Sequence, residues 1–121
     1  AKLDDIVNWI PARLAGLLTV LCAFLVGLDG KNAWKIYRRD CHNHASPNSA
    51  QTESACAGAL QVQLAGDAYY FGKLCHKPTI GDPIRPVKPQ DIVLANRLMV
   101  ASDLVFAALC CAAWAMVYWL I

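Results

Sequence analysis

The sequence has no C-x-x-C pair, no G-x-x-x-x-G-K-[ST] loop, no G-x-S-x-G elbow and no H-E-x-x-H helix. Those absences remove the short-motif routes to a redox dithiol, a P-loop, a serine hydrolase and a zinc protease. Charge is scarce as well. Charged residues make up 17%, against about 25% in soluble domains. The net charge of +2 is too small an excess to predict a nucleic-acid partner, because affinity for the phosphate backbone grows with the number of basic contacts. No small-residue cleavage site follows the first apolar run, and Lys2, Asp4 and Asp5 precede it. The sequence therefore predicts no cleavable leader.

Apolar residues are what the chain has in excess. They make up 57% of its 121 residues, against roughly 45–50% in soluble domains, and they are concentrated in two runs. From Ile10 to Leu28 the sole charge is Arg13, and from Leu98 to Ile121 it is Asp103. Each run is long enough for a helix crossing about 30 Å of hydrocarbon. Residues 17–28 and 105–121 read as apolar on every side, which a surface helix of a soluble protein is not. Trp114, Tyr118 and Trp119 suit an interfacial belt. The fold class predicted is an all-α integral membrane protein of one domain. Membrane helices cover about residues 10–28 and 91–121 and flank a polar loop of about 29–90 with short amphipathic or re-entrant helices.

The loop side of the chain holds Lys31, Lys35, Arg38, Arg39, Lys73, Lys77, Arg85, Lys88 and Arg97. This bias predicts that the loop faces the cytoplasm, and so a multi-pass protein of the bacterial inner membrane with lipid as a partner. Cys22, Cys110 and Cys111 lie in the apolar runs, where cysteine acts as a small hydrophobe. All six cysteines are expected to be reduced. Two spans offer each other little contact, and the chain starts at Ala1. We therefore expect a piece of a longer polypeptide, with further helices or a homo-oligomer completing it.

Within the loop, residues 31–39 read as a short amphipathic helix and 40–48 as a polar turn. A second helix is predicted from Asn48 as cap, with Gln51 at the capping-box position, to about Leu64. It is crowded with small residues, which predicts close packing. Residues 66–81 read as loop or hairpin, and Pro78, Pro83, Pro86 and Pro89 hold off regular structure until Gln90 or Asp91.

The most informative stretch runs from Arg38 to Ser49. Ser46, Asn48 and Ser49 sit beside free N–H groups at a helix start, a place suited to phosphate. Arg38 and Arg39 add fork-shaped donors. An ordinary capped helix after a basic turn fits the same pattern. His42 and His44, near Cys41, lack zinc spacing, which leaves a general base or a surface position. Asp4, Asp5, Asp40, Glu53, Asp67, Asp82 and Asp91 are candidate Mg²⁺ ligands that spacing does not separate. Asp103 stands apart as a carboxylate inside an apolar helix, a costly placement that points to function.

The longer strings resemble the adenosylcobinamide-phosphate synthase family, the CbiB/CobD membrane proteins of cobalamin biosynthesis, in its C-terminal part. The matching blocks are Leu3-Asp4-Asp5-Ile6-Val7-Asn8-Trp9-Ile10-Pro11-Ala12-Arg13, Arg39-Asp40, and Ser46-Pro47-Asn48-Ser49 with Glu53. Ala57-Gly58-Ala59-Leu60, Gln63-Leu64-Ala65-Gly66, Tyr70-Phe71-Gly72 and Ile80-Gly81 follow in family order. Ala50, Thr52 and Ala65 depart from it, standing where the family often has glycine, proline and glycine.

The resemblance implies an ATP- and Mg²⁺-dependent ligase. Its substrate is a corrinoid: a propionate of adenosylcobyric acid is joined to aminopropanol or its O-phosphate, giving adenosylcobinamide or its phosphate. Phosphoryl transfer to the carboxylate followed by attack of the amine is the implied route, and it rests on positioning, charge neutralisation and removal of a proton from the amine. Carried onto this sequence, Arg39, Ser46, Asn48 and Ser49 would hold phosphate, and Asn8 and Arg13 substrate carboxylate or phosphate. Asp40 and Glu53, with Asp5, would hold Mg²⁺ or the substrate ammonium. Asp40, Glu53 and His42 or His44 would serve the chemistry, and Gly58, Gly66, Gly72 and Gly81 the backbone fit. A non-catalytic membrane scaffold for corrinoid-pathway enzymes is the alternative. A full crossing by residues 11–28 would put Asn8 and Ser46 on opposite sides of the bilayer; a re-entrant first segment would bring them together.

Overall fold

A computed structural model describes residues 2–121. It is mostly helical, with one long apolar helix and a shorter one. Five helices and four very short strands follow in the order α1 (Lys2–Val7), α2 (Trp9–Leu25), α3 (Gly30–Asp40), α4 (Ser49–Leu60), β1 (Leu64–Ala65), β2 (Ala68–Tyr70), β3 (Lys73–Cys75), β4 (Thr79–Ile80) and α5 (Gln90–Leu120). The all-α expectation is corrected by two antiparallel ladders. β1 pairs with β4 and β2 with β3, so the stretch read as loop or hairpin is a hairpin seated on a ribbon.

The first apolar helix is shorter than the run of residues that suggested it. Trp9–Leu25 has 17 residues, about 26 Å at 1.5 Å per residue, short of a full crossing. Gly27 stops it by taking φ +78°. The Leu28 N–H then reaches back to the Ala23 carbonyl and that of Val26 to Cys22, a glycine-closed helix end. Nor is α2 apolar and exposed all round. Gly16, Val20, Cys22 and Ala23 are buried, while Leu17, Leu21, Phe24 and Leu25 face outward. Among the described residues only α5, with 31 residues, is long and apolar enough to cross a membrane.

α2, α3 and α4 form an up–down–up unit. The turn from α2 into α3 is capped by Asp29, whose carboxylate accepts from the Asn32 N–H at 3.0 Å and from Gln61 Nε2 at 2.8 Å. Those two donors hold its pKa below the usual carboxylate range. The second bond also ties the start of α3 to the end of α4. Small residues make α4 a close-packing helix, with Ala50, Ala55, Ala57, Gly58 and Ala59 all buried. At Gly58 an added Cβ would lie 2.6 Å from the Asn32 carbonyl oxygen, so nothing larger than hydrogen fits. α4 stops at Leu60 because Gln61 turns left-handed, at φ 61°. That frees Leu64 to pair with Ile80 in the ribbon, four residues before the end the sequence suggested.

α5 runs antiparallel to α2. It begins beside the α2–α3 turn, where Leu94 lines a recess together with Gly27 and Leu28, and further along Phe106 lines a cavity together with Ile10. Leu98 is buried in the core, with Ala101 and Val105 packed against it. Beyond Phe106 every residue of α5 is exposed.

Candidate functional site

The helix start at Ser49 meets the beginning of the chain. Asn48 Nδ2 donates to the Asp5 carbonyl oxygen at 3.0 Å. Arg13 Nη1 stands 3.5 Å from Asn48 Oδ1 and 3.0 Å from the Trp9 carbonyl oxygen, with its guanidinium carbon 3.7 Å above the Trp9 ring. The Asn48 N–H donates to Ser46 Oγ at 3.3 Å, and the Ser46 N–H to His44 Nδ1 at 3.0 Å. Asp5, Arg13, Ser46, Asn48 and Ser49 therefore form one neighbourhood, at the same end of the α2–α4 unit. Asn8 stands at the α1–α2 joint beside it, its amide donating to Asp4 Oδ1 at 2.8 Å.

This arrangement changes the expected cap. Asn48 precedes α4, yet its side chain accepts nothing from the first turn, because Asp5 and Arg13 occupy it. Gln51 does not close a capping box. Its Nε2 donates to the Cys41 carbonyl at 3.1 Å and its Oε1 accepts from the Tyr37 hydroxyl at 2.9 Å. Burial raises the pKa of Tyr37, which keeps that hydroxyl a donor. The first turn of α4 is thus left without a side-chain acceptor, and partial positive charge is concentrated there.

Arg39 and Asp40 lie in a second cluster. Arg39 Nε and Nη2 donate to the two Asp40 oxygens, each at 2.8 Å, and Nη1 donates to Asp82 Oδ2 at 3.1 Å. Asp40 also accepts from the Gly81 N–H at 2.8 Å and from Asn43 Nδ2 at 3.2 Å. Two oxygens have about four lone-pair positions, and all four are taken. The Arg39 bonds, with Gly81, hold the Asp40 pKa below the usual carboxylate range against the opposing effect of burial. They raise that of Arg39. In this conformation Asp40 has no acceptor position left for a ligand, and the Arg39 guanidinium is engaged by two carboxylates. Together they clamp the end of α3 to β4 and the loop after it.

Glu53 belongs to neither cluster. It is half-buried and lines a cavity of about 620 Å³ between α2, α4 and α5, which Asp103 also lines. His42 is exposed with no hydrogen-bond partner among the described residues. Sequence reasoning missed the part played by Tyr37, Gln51, Asn43 and Asp82 in holding these clusters. A polar residue inside an otherwise small-residue helix, Gln51 in Ala50-Gln51-Thr52, was the signal available for one of them.

The profile of the family described as CobD/Cbib protein matches residues 1–99. The chain is 52% identical over 99 residues to the cobalamin biosynthesis protein CobD of Clostridium perfringens, covering 82% of this chain and 31% of that one. It is 43% identical over 109 residues to the CobD of Desulfotalea psychrophila, covering 90% and 33%. To the cobalamin biosynthesis protein CbiB of Salmonella typhimurium it is 47% identical over 110 residues, covering 90% and 34%. The chain thus spans about a third of the length of these curated relatives. No solved structure matches it. Its matched length and the ordered motif blocks make the same assignment: the chain belongs to the CobD/CbiB family of cobalamin biosynthesis proteins.

Proposed function

We propose that this chain supplies part of the active site of an ATP-dependent amide ligase of the membrane. The ligase joins aminopropanol or its O-phosphate to a propionate of adenosylcobyric acid. Family membership supports the pathway, and the neighbourhood of Arg13, Asn48, Ser46 and Ser49 at an uncapped helix start supports a phosphate-handling step. That neighbourhood is the observation that carries the reading. It offers backbone N–H groups, a guanidinium and hydroxyls at one point, the donor set that phosphate oxygens require.

Among the described residues no three His, Cys, Asp or Glu side chains are placed to hold a metal. Mg²⁺ characteristically rests on one or two carboxylates plus phosphate oxygens, so the half-buried Asp5 beside Asn48 fits that part better than Asp40. When bound, ATP and Mg²⁺ supply activation of the poor carboxylate electrophile. This chain's residues neutralise phosphate charge and fix its position. Arg39 and Asp40 brace the site from the far end of α3.

α5 fits the role of membrane span, and α2 that of a re-entrant segment lying against its first half. Ile10 and Phe106 line one cavity, and α5 continues for about 21 Å beyond Phe106. The Arg13–Asn48 neighbourhood would then sit part-way into the bilayer, where irregular backbone needs protein or water around it. The basic bias of residues 29–97 favours opening toward the cytoplasm.

The test supplies membranes carrying the full-length protein with ATP, Mg²⁺, adenosylcobyric acid and aminopropanol phosphate. Amide product detected by mass, formed only with ATP, is the expected result. Absence of product from the full-length protein overturns the reading.

A further inference from the structure

Gln51 and Ser54 are buried polar residues of α4, and they differ in what they hold. Ser54 Oγ donates to the Gln51 carbonyl at 3.1 Å, inside its own helix. Gln51, only 1% exposed, reaches out of the helix in three directions. Its Nε2 donates to the Cys41 carbonyl at 3.1 Å and to the Pro47 carbonyl at 3.4 Å, and its Oε1 accepts from the Tyr37 hydroxyl at 2.9 Å. Cys41 and Pro47 stand at the two ends of the polar turn before α4. One amide group therefore ties both ends of the turn that carries His44, Ser46 and Asn48. The same pair of residues seats α2. At Gly16 an added Cβ would lie 2.6 Å from Tyr37 Cε2 and 3.1 Å from the Gln51 carbonyl oxygen. Gly16 comes three residues after Arg13, on the same side of the helix, so this close contact also sets how Arg13 meets Asn48.

The residue type matters. A side-chain amide offers two N–H donors and an acceptor oxygen, and here two carbonyls and one hydroxyl use that set. An ionised carboxylate would turn acceptors toward the two carbonyls, and an apolar side chain would leave buried polar groups without partners. We propose that Gln51 is a positioning residue for a phosphate-bearing substrate. It fixes the turn so that Ser46, Asn48 and Arg13 converge on one point, and its burial keeps it from touching a ligand itself. The inference rests on the phosphate-handling reading of that neighbourhood. ATP and aminopropanol phosphate are the two sources of the phosphate group, and kinetics separates them.

The test compares wild type, Gln51→Met and Tyr37→Phe in the full-length protein in nanodiscs, by hydrogen exchange and by steady-state kinetics. Gln51→Met keeps the side chain's length and loses all three bonds. Tyr37→Phe loses one of them, and carries the test, with smaller changes in the same direction, should Gln51→Met fail to fold. The Ser46 and Asn48 N–H groups, which donate to His44 Nδ1 and Ser46 Oγ, are expected to exchange at least about tenfold faster in Gln51→Met. The Gly81 N–H, bonded to Asp40, should keep its rate. KM for one phosphate-bearing substrate should rise at least about tenfold, with KM for adenosylcobyric acid changed less than about twofold. A rise for ATP assigns the turn to the nucleotide. A rise for aminopropanol phosphate, without one for aminopropanol, assigns it to the amine's phosphate. A merely structural Gln51 would lower the thermal midpoint and leave every KM of the folded molecules unchanged; that result overturns the proposal, as do unchanged exchange rates in the turn. Wild-type protein that forms no amide overturns the ligase reading alone. Binding of inorganic phosphate then decides the proposal: about tenfold weaker binding in Gln51→Met upholds it, and an unchanged Kd overturns it.

Discussion

The two polar clusters around α3 and α4 are built from similar residues and are finished to different degrees. At the Arg39–Asp40–Asp82 clamp every acceptor position of Asp40 is filled. At the Arg13–Asn48–Ser46 neighbourhood the Arg13 contact with Asn48 is long, at 3.5 Å, and the first turn of α4 lacks a side-chain acceptor. A group with all its partners supports the fold, because removing one leaves buried polarity uncompensated. A group with donors to spare is available to a ligand. A motif match does not separate the two cases, since Arg39-Asp40 and Ser46-Pro47-Asn48-Ser49 belong to the same set of blocks.

The close backbone approach of α4 to α3 gives the largest expected effect. Gly58→Val drives a side chain into the Asn32 carbonyl and the Ala33 backbone, atoms that cannot rotate away. It should cost about 3 kcal/mol, seen as a large fall in the thermal midpoint and loss of both sites. Asp40→Ala removes the centre of the clamp and strands the buried Gly81 N–H and the Arg39 fork. We expect about 2 kcal/mol of destabilisation, and less than a fully buried pair would give because Arg39 is 45% exposed.

The smallest effect is one of pH. The folded pKa of Asp40 is depressed, so its contribution is complete above the ordinary carboxylate value, about pH 4. It fades as the pH falls from there through the folded value. The acid limb of the stability profile should therefore flatten in Asp40→Asn.

The two helices of the loop were legible because their signals are local: basic residues with Trp34 and Tyr37 in α3, and Asn48 before a run of small residues in α4. The β2–β3 hairpin fell within the stretch read as loop or hairpin, but the β1–β4 ribbon was not legible, since two residues carry no period and it is set by Leu64 meeting Ile80 across the hairpin. The length of α2 was overestimated because hydropathy continues through Val26 and Leu28, whereas Gly27 turns the backbone. The phosphate candidates Ser46, Asn48 and Ser49 were visible as a helix start. The split between Asn48 and Asp40 was not, because it depends on Asp5 and Asp82, which lie 43 and 42 positions away along the chain and meet them only in the fold.

The central claim is that one cluster serves a ligand and the other serves the fold. The most direct test measures amide formation per folded molecule, alongside the thermal midpoint, for Asn48→Ala and Asp82→Asn in the full-length protein. The account predicts at least about a tenfold loss of turnover for Asn48→Ala with little change in midpoint, and a lowered midpoint with near-normal turnover per folded molecule for Asp82→Asn. Normal turnover in Asn48→Ala together with a collapse in Asp82→Asn would contradict it.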